Sequence, residues 1–194
     1  MKHIVRFACL AVALPCAAAA AQLLKYDDDH RLAIPADYRE WVFLTSSLDL
    51  NYSDMAASRS VLDNVFVNPD AYKAFVKNGT WPDNTVLIKE NRVAEAAGTI
   101  SKSGKFQTRI ASMEMHVKDE KRFRGGWAFF VSNGTSPGVP IPVTADCFSC
   151  HAEHGAVNNT FVQFYPTLLE IAKAKATLSP GYVKDTRALS GSGK

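Results

Sequence analysis

Residues 144–154, TADCFSCHAEH, contain a C-x-x-C-H motif made of Cys147, Cys150 and His151. That spacing reads as covalent attachment of a c-type haem, one per chain. Both thiols form thioethers to the porphyrin, and the adjoining histidine becomes an axial ligand to iron. A disulfide between the two cysteines would close a very short loop and stabilise little. Zinc would need two further ligands at metal spacing, and no second cysteine pair is available for it. His151, directly after the second cysteine, decides for haem.

The opposite side of the iron is less crowded. Only 43 residues follow His151, and none is methionine. Upstream candidates are Met55, Met113, Met115, His30 and His116, with His154 just downstream. Met113 and Met115 fall on the apolar face of a strand and read as core, and His154 is too near His151 in sequence to reach across. An open or water-filled sixth position is therefore expected, where a small ligand or substrate binds. A plain electron carrier is disfavoured for want of that sixth ligand.

The amino-terminal stretch carries Lys2 and Arg6, an apolar run from Phe7 to Ala21, and small residues before Gln22. This is the pattern of a secretory signal peptide over residues 1–21, with an apolar run too short for a comfortable membrane span. Cys16 would suit a lipoprotein, but Pro15 stands where a small residue is wanted. Cleavage removes Cys9 and Cys16 and leaves 20 basic against 19 acidic residues. So even a balance argues against nucleic-acid binding, and no later segment approaches membrane-span length. Residues 22–188 suffice for a single haem domain with its own core, and residues 189–194, ending in SGSGK, are expected to be disordered.

The elements that must position the motif follow from patterning. Pro35 starts a turn or short helix, and Val42 to Leu50 is β-rich. NVFV (64–67) is a short strand. Asn68 and Pro69 begin a helix, PDAYKAFVKN, that Gly79 ends. TVLIKE (85–90) is a strand, with Thr85, Leu87 and Lys89 on one face. In FQTRIASMEMHVKD, Met113, Met115 and Val117 share one face, and Glu114, His116 and Lys118 the other. GWAFFVSN is a strand, SPGVPIP a loop and YPTLLEIAKAKA the last helix. The expectation is α+β: a mainly antiparallel sheet with a few helices, and the haem motif late in the chain.

The succession DYREWV (37–42), NVFVNPDAYKAF (64–75), GTWPDNTVLIKE (79–90), GWAFF (126–130), CFSCH (147–151) and FVQFYP (161–166) resembles the cytochrome P-460 family, which includes the β-sheet type of cytochrome c′. The resemblance implies an antiparallel β fold, a homodimer in the bacterial periplasm, and a high-spin haem with an open distal side. Lys89 matches the family's distinctive lysine, whose amine in cytochromes P-460 is bonded to the haem macrocycle. A lysine turned inward beside Leu87 suits this, because desolvation favours the nucleophilic amine. The competing reading is a strand-end lysine that pairs with Glu90 or reaches water.

The resemblance further implies oxidation of hydroxylamine to nitrous oxide or nitrite, with electrons passed to an accepting redox protein. Its non-catalytic branch binds nitric oxide instead. It places a proton-accepting acid in the loop before C-x-x-C-H, where this chain offers only Asp146. Glu114 and Asp63 are the other candidates, and family members often carry a basic residue at the position of Asp63. A solvated or capping carboxylate is the competing reading for each. Phe66, Trp127, Phe129, Phe161, Phe164 and Tyr165 are candidate haem-packing aromatics, with aromatic core as the alternative.

Overall fold

Apolar and polar residues alternate at period two along the middle of the chain, and the strands they form pair only with their sequence neighbours. The computed structural model describes residues 24–52, 59–96, 98, 100 and 102–191. Its six strands are β1 (Val42–Leu48), β2 (Val61–Val67), β3 (Val86–Glu95), β4 (Phe106–Lys118), β5 (Trp127–Ser132) and β6 (Val139–Pro140). They lie in the order of the sequence in one antiparallel sheet. Four helices accompany it: α1 (Pro69–Asn78), α2 (Asp146–His154), α3 (Pro166–Ala174) and α4 (Pro180–Gly191). The fold is α+β, as the patterning implied.

Strand alternation gives the sheet two faces with different tasks. One face carries Ile88, Met113, Met115, Val117 and Phe130, closed over by Leu32, Tyr38 and Trp41 from the chain before β1. Burying each such side chain contributes roughly 1.5–3 kcal/mol. The other face carries Val65, Val67, Leu87 and Phe129, and is covered by Phe75 of α1, Leu168 and Ala172 of α3, and Val157 and Val162 between α2 and α3. Register then sets side chains in rows across this second face. Val65 pairs with Lys89 and Lys89 with Glu114, while Val67, Leu87, His116 and Phe129 form the next row. Asp63 pairs with Asn91, and Asn91 with Ser112.

Glu90 belongs to the other face, so it does not pair with Lys89. It is 1% exposed and accepts hydrogen bonds from the Tyr38 hydroxyl, from Arg39 at 2.6 Å and from Arg92. Burial alone would raise its pKa, but these donors and charges outweigh it and hold the carboxyl below its ordinary value.

Helix α1 starts and stops where its punctuation residues predict, with Pro69 in the first turn and Gly79 left-handed at φ 77°. A side chain at Gly79 would meet Lys175 Cβ at 2.7 Å. Asn68, however, does not cap the helix with its side chain. Its Oδ1 accepts from the Val86 amide at 2.8 Å, which ties the start of α1 to the start of β3. Trp81, 2% exposed, makes the corresponding tie to the loop that follows α2. Its indole N–H donates to Thr160 Oγ1 at 2.8 Å and its backbone N–H to Asn158 Oδ1 at 3.0 Å.

Several boundaries differ from the patterning. β2 begins at Val61 and β3 runs on to Glu95, so Lys89 lies inside its strand and not at its end. The SPGVPIP loop contains β6, and α4 follows the helix expected to be last. Residues 189–191, expected in a disordered tail, form the end of α4, while residues 192–194 and the signal segment lie outside the described residues. Among the described residues no helix is long and apolar enough to cross a membrane.

Candidate haem site

The C-x-x-C-H motif occupies most of α2. Cys147 and Cys150 are three apart, hence neighbours on one helix face, and both are free thiols, the first exposed and the second half-buried. His151 Nδ1 lies 2.8 Å from the Asn159 carbonyl oxygen. A carbonyl only accepts, so Nδ1 carries the proton and Nε2 keeps a lone pair for a metal.

That carbonyl is aimed by a tight loop. Asn158 and Asn159 both adopt left-handed backbone, at φ 47° and 58°, which asparagine tolerates better than most residues. Gly155 lets the loop close onto α2: a Cβ there would stand 2.5 Å from the His151 carbonyl oxygen and 2.8 Å from the Thr160 nitrogen. The His151 ring packs against Phe161 at 4.2 Å and Phe129 at 4.7 Å, and Phe129 stacks on Phe148 at 4.3 Å. Two thiols one helical turn apart, a histidine with its tautomer set, and an aromatic surround fit a c-type haem.

His151 opens on a cleft bounded by the sheet face on one side and by Phe161, Phe164 and Tyr165 on the other. The polar wall comes from four strands, β1 to β4. Lys89 Nζ donates to Glu114 Oε1 at 3.1 Å and lies 3.9 Å from Asp63 Oδ2. Asn91 Nδ2 donates to the same Glu114 oxygen at 3.1 Å. Ser47 Oγ lies 3.5 Å from Asp63 Oδ2.

The two carboxylates are pushed apart in acidity. Burial would raise Glu114, but the Lys89 charge and the Asn91 amide outweigh it and hold its pKa below the ordinary value. Asp63 is 3% exposed. Burial raises its pKa, Lys89 opposes the rise only in part, and the Glu114 charge adds to it. Burial first and the neighbouring His151 second push His116 down to about 3, so this imidazole stays neutral. Burial raises the Tyr165 phenol.

Asp63 therefore carries a stability cost that can be measured. A carboxyl whose folded pKa is raised loses folding free energy as pH climbs from its unfolded value, near 3.8, through its folded one. Asp63→Asn is expected to raise Tm by roughly 2–4 °C at pH 7 and to leave it unchanged well below pH 3.8. Thermal unfolding followed by circular dichroism at the two pH values checks this.

The remaining candidates fall elsewhere. Asp146 is exposed in the first turn of α2, outside the cleft lining. Met113 and Met115 are 1% and 0% exposed in the core on the opposite face. Phe66 lies on that face too, against Tyr38, and so does not pack the cleft. Trp127 is in the core beneath the helices, beside Phe129. His30 is an exposed turn residue, Met55 lies outside the described residues, and His154 is bonded to Asp185 at 2.7 Å. The His116 and His151 ring centroids are 4.9 Å apart, too close for an iron between them. Pattern reading missed Asn91, Ser47, Tyr52, Gly155 and Asn159; the two adjacent asparagines of VNNT were the one local signal among them.

Comparison with protein families settles what these features share. The model of the Cytochrome P460 family matches residues 35–162, about two-thirds of the chain. The chain belongs to the cytochrome P460 family. No curated protein matches it. As a cytochrome P460 family member it is a c-type haem protein, and the matched span includes Lys89, Glu114 and the whole C-x-x-C-H motif.

Proposed function

We propose that this protein oxidises hydroxylamine, to nitrous oxide or nitrite, in the bacterial periplasm. The supporting observation is the meeting of Lys89 and Glu114 in the cleft that His151 also lines. In this reading one haem c per chain is held by Cys147 and Cys150, with His151 as axial ligand and the Lys89 amine as a third covalent attachment. The protein is exported through a cleaved signal peptide and acts as a homodimer that passes electrons to a redox protein.

When bound, the haem supplies an open iron position for the substrate nitrogen and a store for its electrons. The chain supplies the rest. Hydroxylamine gives up protons with its electrons, so the cleft needs a base. Glu114 is held ionised at neutral pH and presents its carboxylate to the cleft. Asp63 keeps its proton to higher pH and serves as the second carrier. Phe161, Phe164 and Tyr165 limit water at the reacting atoms.

A specific contact favours a second reading, nitric oxide binding without catalysis. Lys89 Nζ lies against two carboxylates, at 3.1 Å from Glu114 and 3.9 Å from Asp63, contacts that an amine bonded to a macrocycle gives up. Acid-acetone extraction and turnover together distinguish the readings. Haem is expected to stay on the wild-type chain, and to stay also on the Cys147→Ala/Cys150→Ala double variant if Lys89 is bonded to it. The wild type is expected to reduce an artificial electron acceptor when hydroxylamine is added. Release of haem from the double variant, with no hydroxylamine-driven reduction by the wild type and nitric oxide binding intact, selects the second reading.

A further inference from the structure

Glu114 has two oxygens in unequal surroundings. Oε1 accepts from both Lys89 Nζ and Asn91 Nδ2, each at 3.1 Å. Among the described residues no hydrogen bond reaches Oε2, although Glu114 is 32% exposed and lines the cleft. Asn91 is itself held: its Nδ2 also donates to Ser112 Oγ at 2.8 Å, and the residue is 8% exposed. Among the described residues its buried Oδ1 has no hydrogen-bond partner. Turning the amide over would set Oδ1 against the ionised Oε1, so the carboxylate fixes the amide in its donating orientation.

We infer that Asn91 is a positioning residue, which occupies Oε1 of Glu114 together with Lys89 and leaves Oε2 as the atom that takes the substrate's proton. This rests on the reading of Glu114 as the proton acceptor. A neutral donor is suited to the task. Two donors on one oxygen lower the affinity of the whole carboxyl for a proton and fix its rotamer. The basic lone pairs that remain then point into the cleft. Asn91 is also the donor that any covalent use of Lys89 leaves in place.

Other charges bear on Glu114. Lys89 faces it from β3, Asp63 from β2 and His116 from β4. His151 of α2, Tyr52 and Tyr165 lie around the cleft. None of these is altered by a change at Asn91, so a shift on substitution reports the amide.

The test is infrared titration of the haem-loaded, full-length mature protein, reading the protonated carboxylic acid band that Glu114→Gln removes. Asn91→Leu keeps the volume and deletes the donor. It is expected to raise the midpoint of that band by about one pH unit, a tenfold gain in proton affinity, and to move the acid limb of kcat upward with it while KM changes little. Ser112→Ala leaves Asn91 and Glu114 intact but frees the amide, and is expected to give a smaller shift in the same direction; it carries the test if Asn91→Leu does not fold. An unmoved Glu114 band in the variants that fold overturns the positioning role. A parental turnover rate in Glu114→Gln overturns instead the reading of Glu114 as base, and with it the part assigned to Oε2.

Discussion

Lys89→Arg is expected to give the haem-loaded protein the ferrous spectrum of an ordinary c-type haem in place of a red-shifted one, and to abolish the proposed hydroxylamine oxidation while leaving nitric oxide binding. Arginine is the sharp substitution here. It keeps a cation beside Glu114 and Asp63, so the ion pairs at 3.1 and 3.9 Å retain a partner. Its guanidinium does not lose a proton under protein conditions and therefore cannot act as a nucleophile. What is lost is the covalent use of the amine alone. Proteolysis gives an independent readout: in the wild type the 85–90 segment is expected to travel with the 147–151 segment through the haem, and in Lys89→Arg the two are expected to separate. Wild-type peptides that are already separate make Lys89 an ordinary strand lysine, and leave the gas-binding reading standing.

Glu114→Gln is expected to lower kcat by about 10²–10⁴, the usual contribution of a positioned general base, and to leave the haem attached. The amide retains the shape of the side chain but not its basicity. The pH profile identifies which carboxylate is at work. A base functions ionised, so turnover falls as pH drops through its folded pKa. In the chain with a free Lys89 amine, burial would raise that value for Glu114, but the Lys89 charge and the Asn91 amide hold it below the ordinary carboxylate. The wild-type acid limb is expected to disappear in Glu114→Gln, and to lie below about pH 4.5 where Lys89 keeps its charge. The stability that Glu114 contributes has the same sense: present above its unfolded pKa, lost as pH falls through the folded one. Were Asp63 the acceptor, the limb would lie above the ordinary carboxylate value, because burial raises that group. Glu114→Gln would then leave the limb in place.

The two variants separate an attachment from a proton transfer. Lys89→Arg changes the spectrum and the peptide map, whereas Glu114→Gln changes the rate and its pH dependence and neither of the others. The stability gain expected for Asp63→Asn adds a third behaviour in the same cleft, that of a buried acid kept at a cost to the fold.

Much of this protein is legible in its residues, and the legible parts share one property: their interactions are local. C-x-x-C-H places two thiols and a ligand on successive turns of one helix, whatever the rest of the chain does. Pro69 and Gly79 bound α1 to the residue, through a fixed φ at one end and a left-handed one at the other. Period-two alternation separates Met113 and Met115 from Glu114 and His116, and the core contains the first pair as expected.

Other parts wait for the chain to fold. Lys89 meets Glu114 across 25 residues of sequence and Asp63 on the opposite side, because β3 takes one register with β4 and another with β2. A slip of one residue would send each carboxylate to the other face, and nothing in the intervening loops states the register. For the same reason Asp146, adjacent to Cys147 in sequence, stands outside the cleft, while Glu114, far from the motif, stands inside it. The His151 tautomer depends on the Asn159 carbonyl, and so on two left-handed asparagines and a glycine without room for a Cβ. The residue types, and with them a c-type haem, are written in the chain; which carboxylate meets Lys89, and which of its oxygens is occupied, come from strand register and one buried amide, which are properties of the assembled sheet.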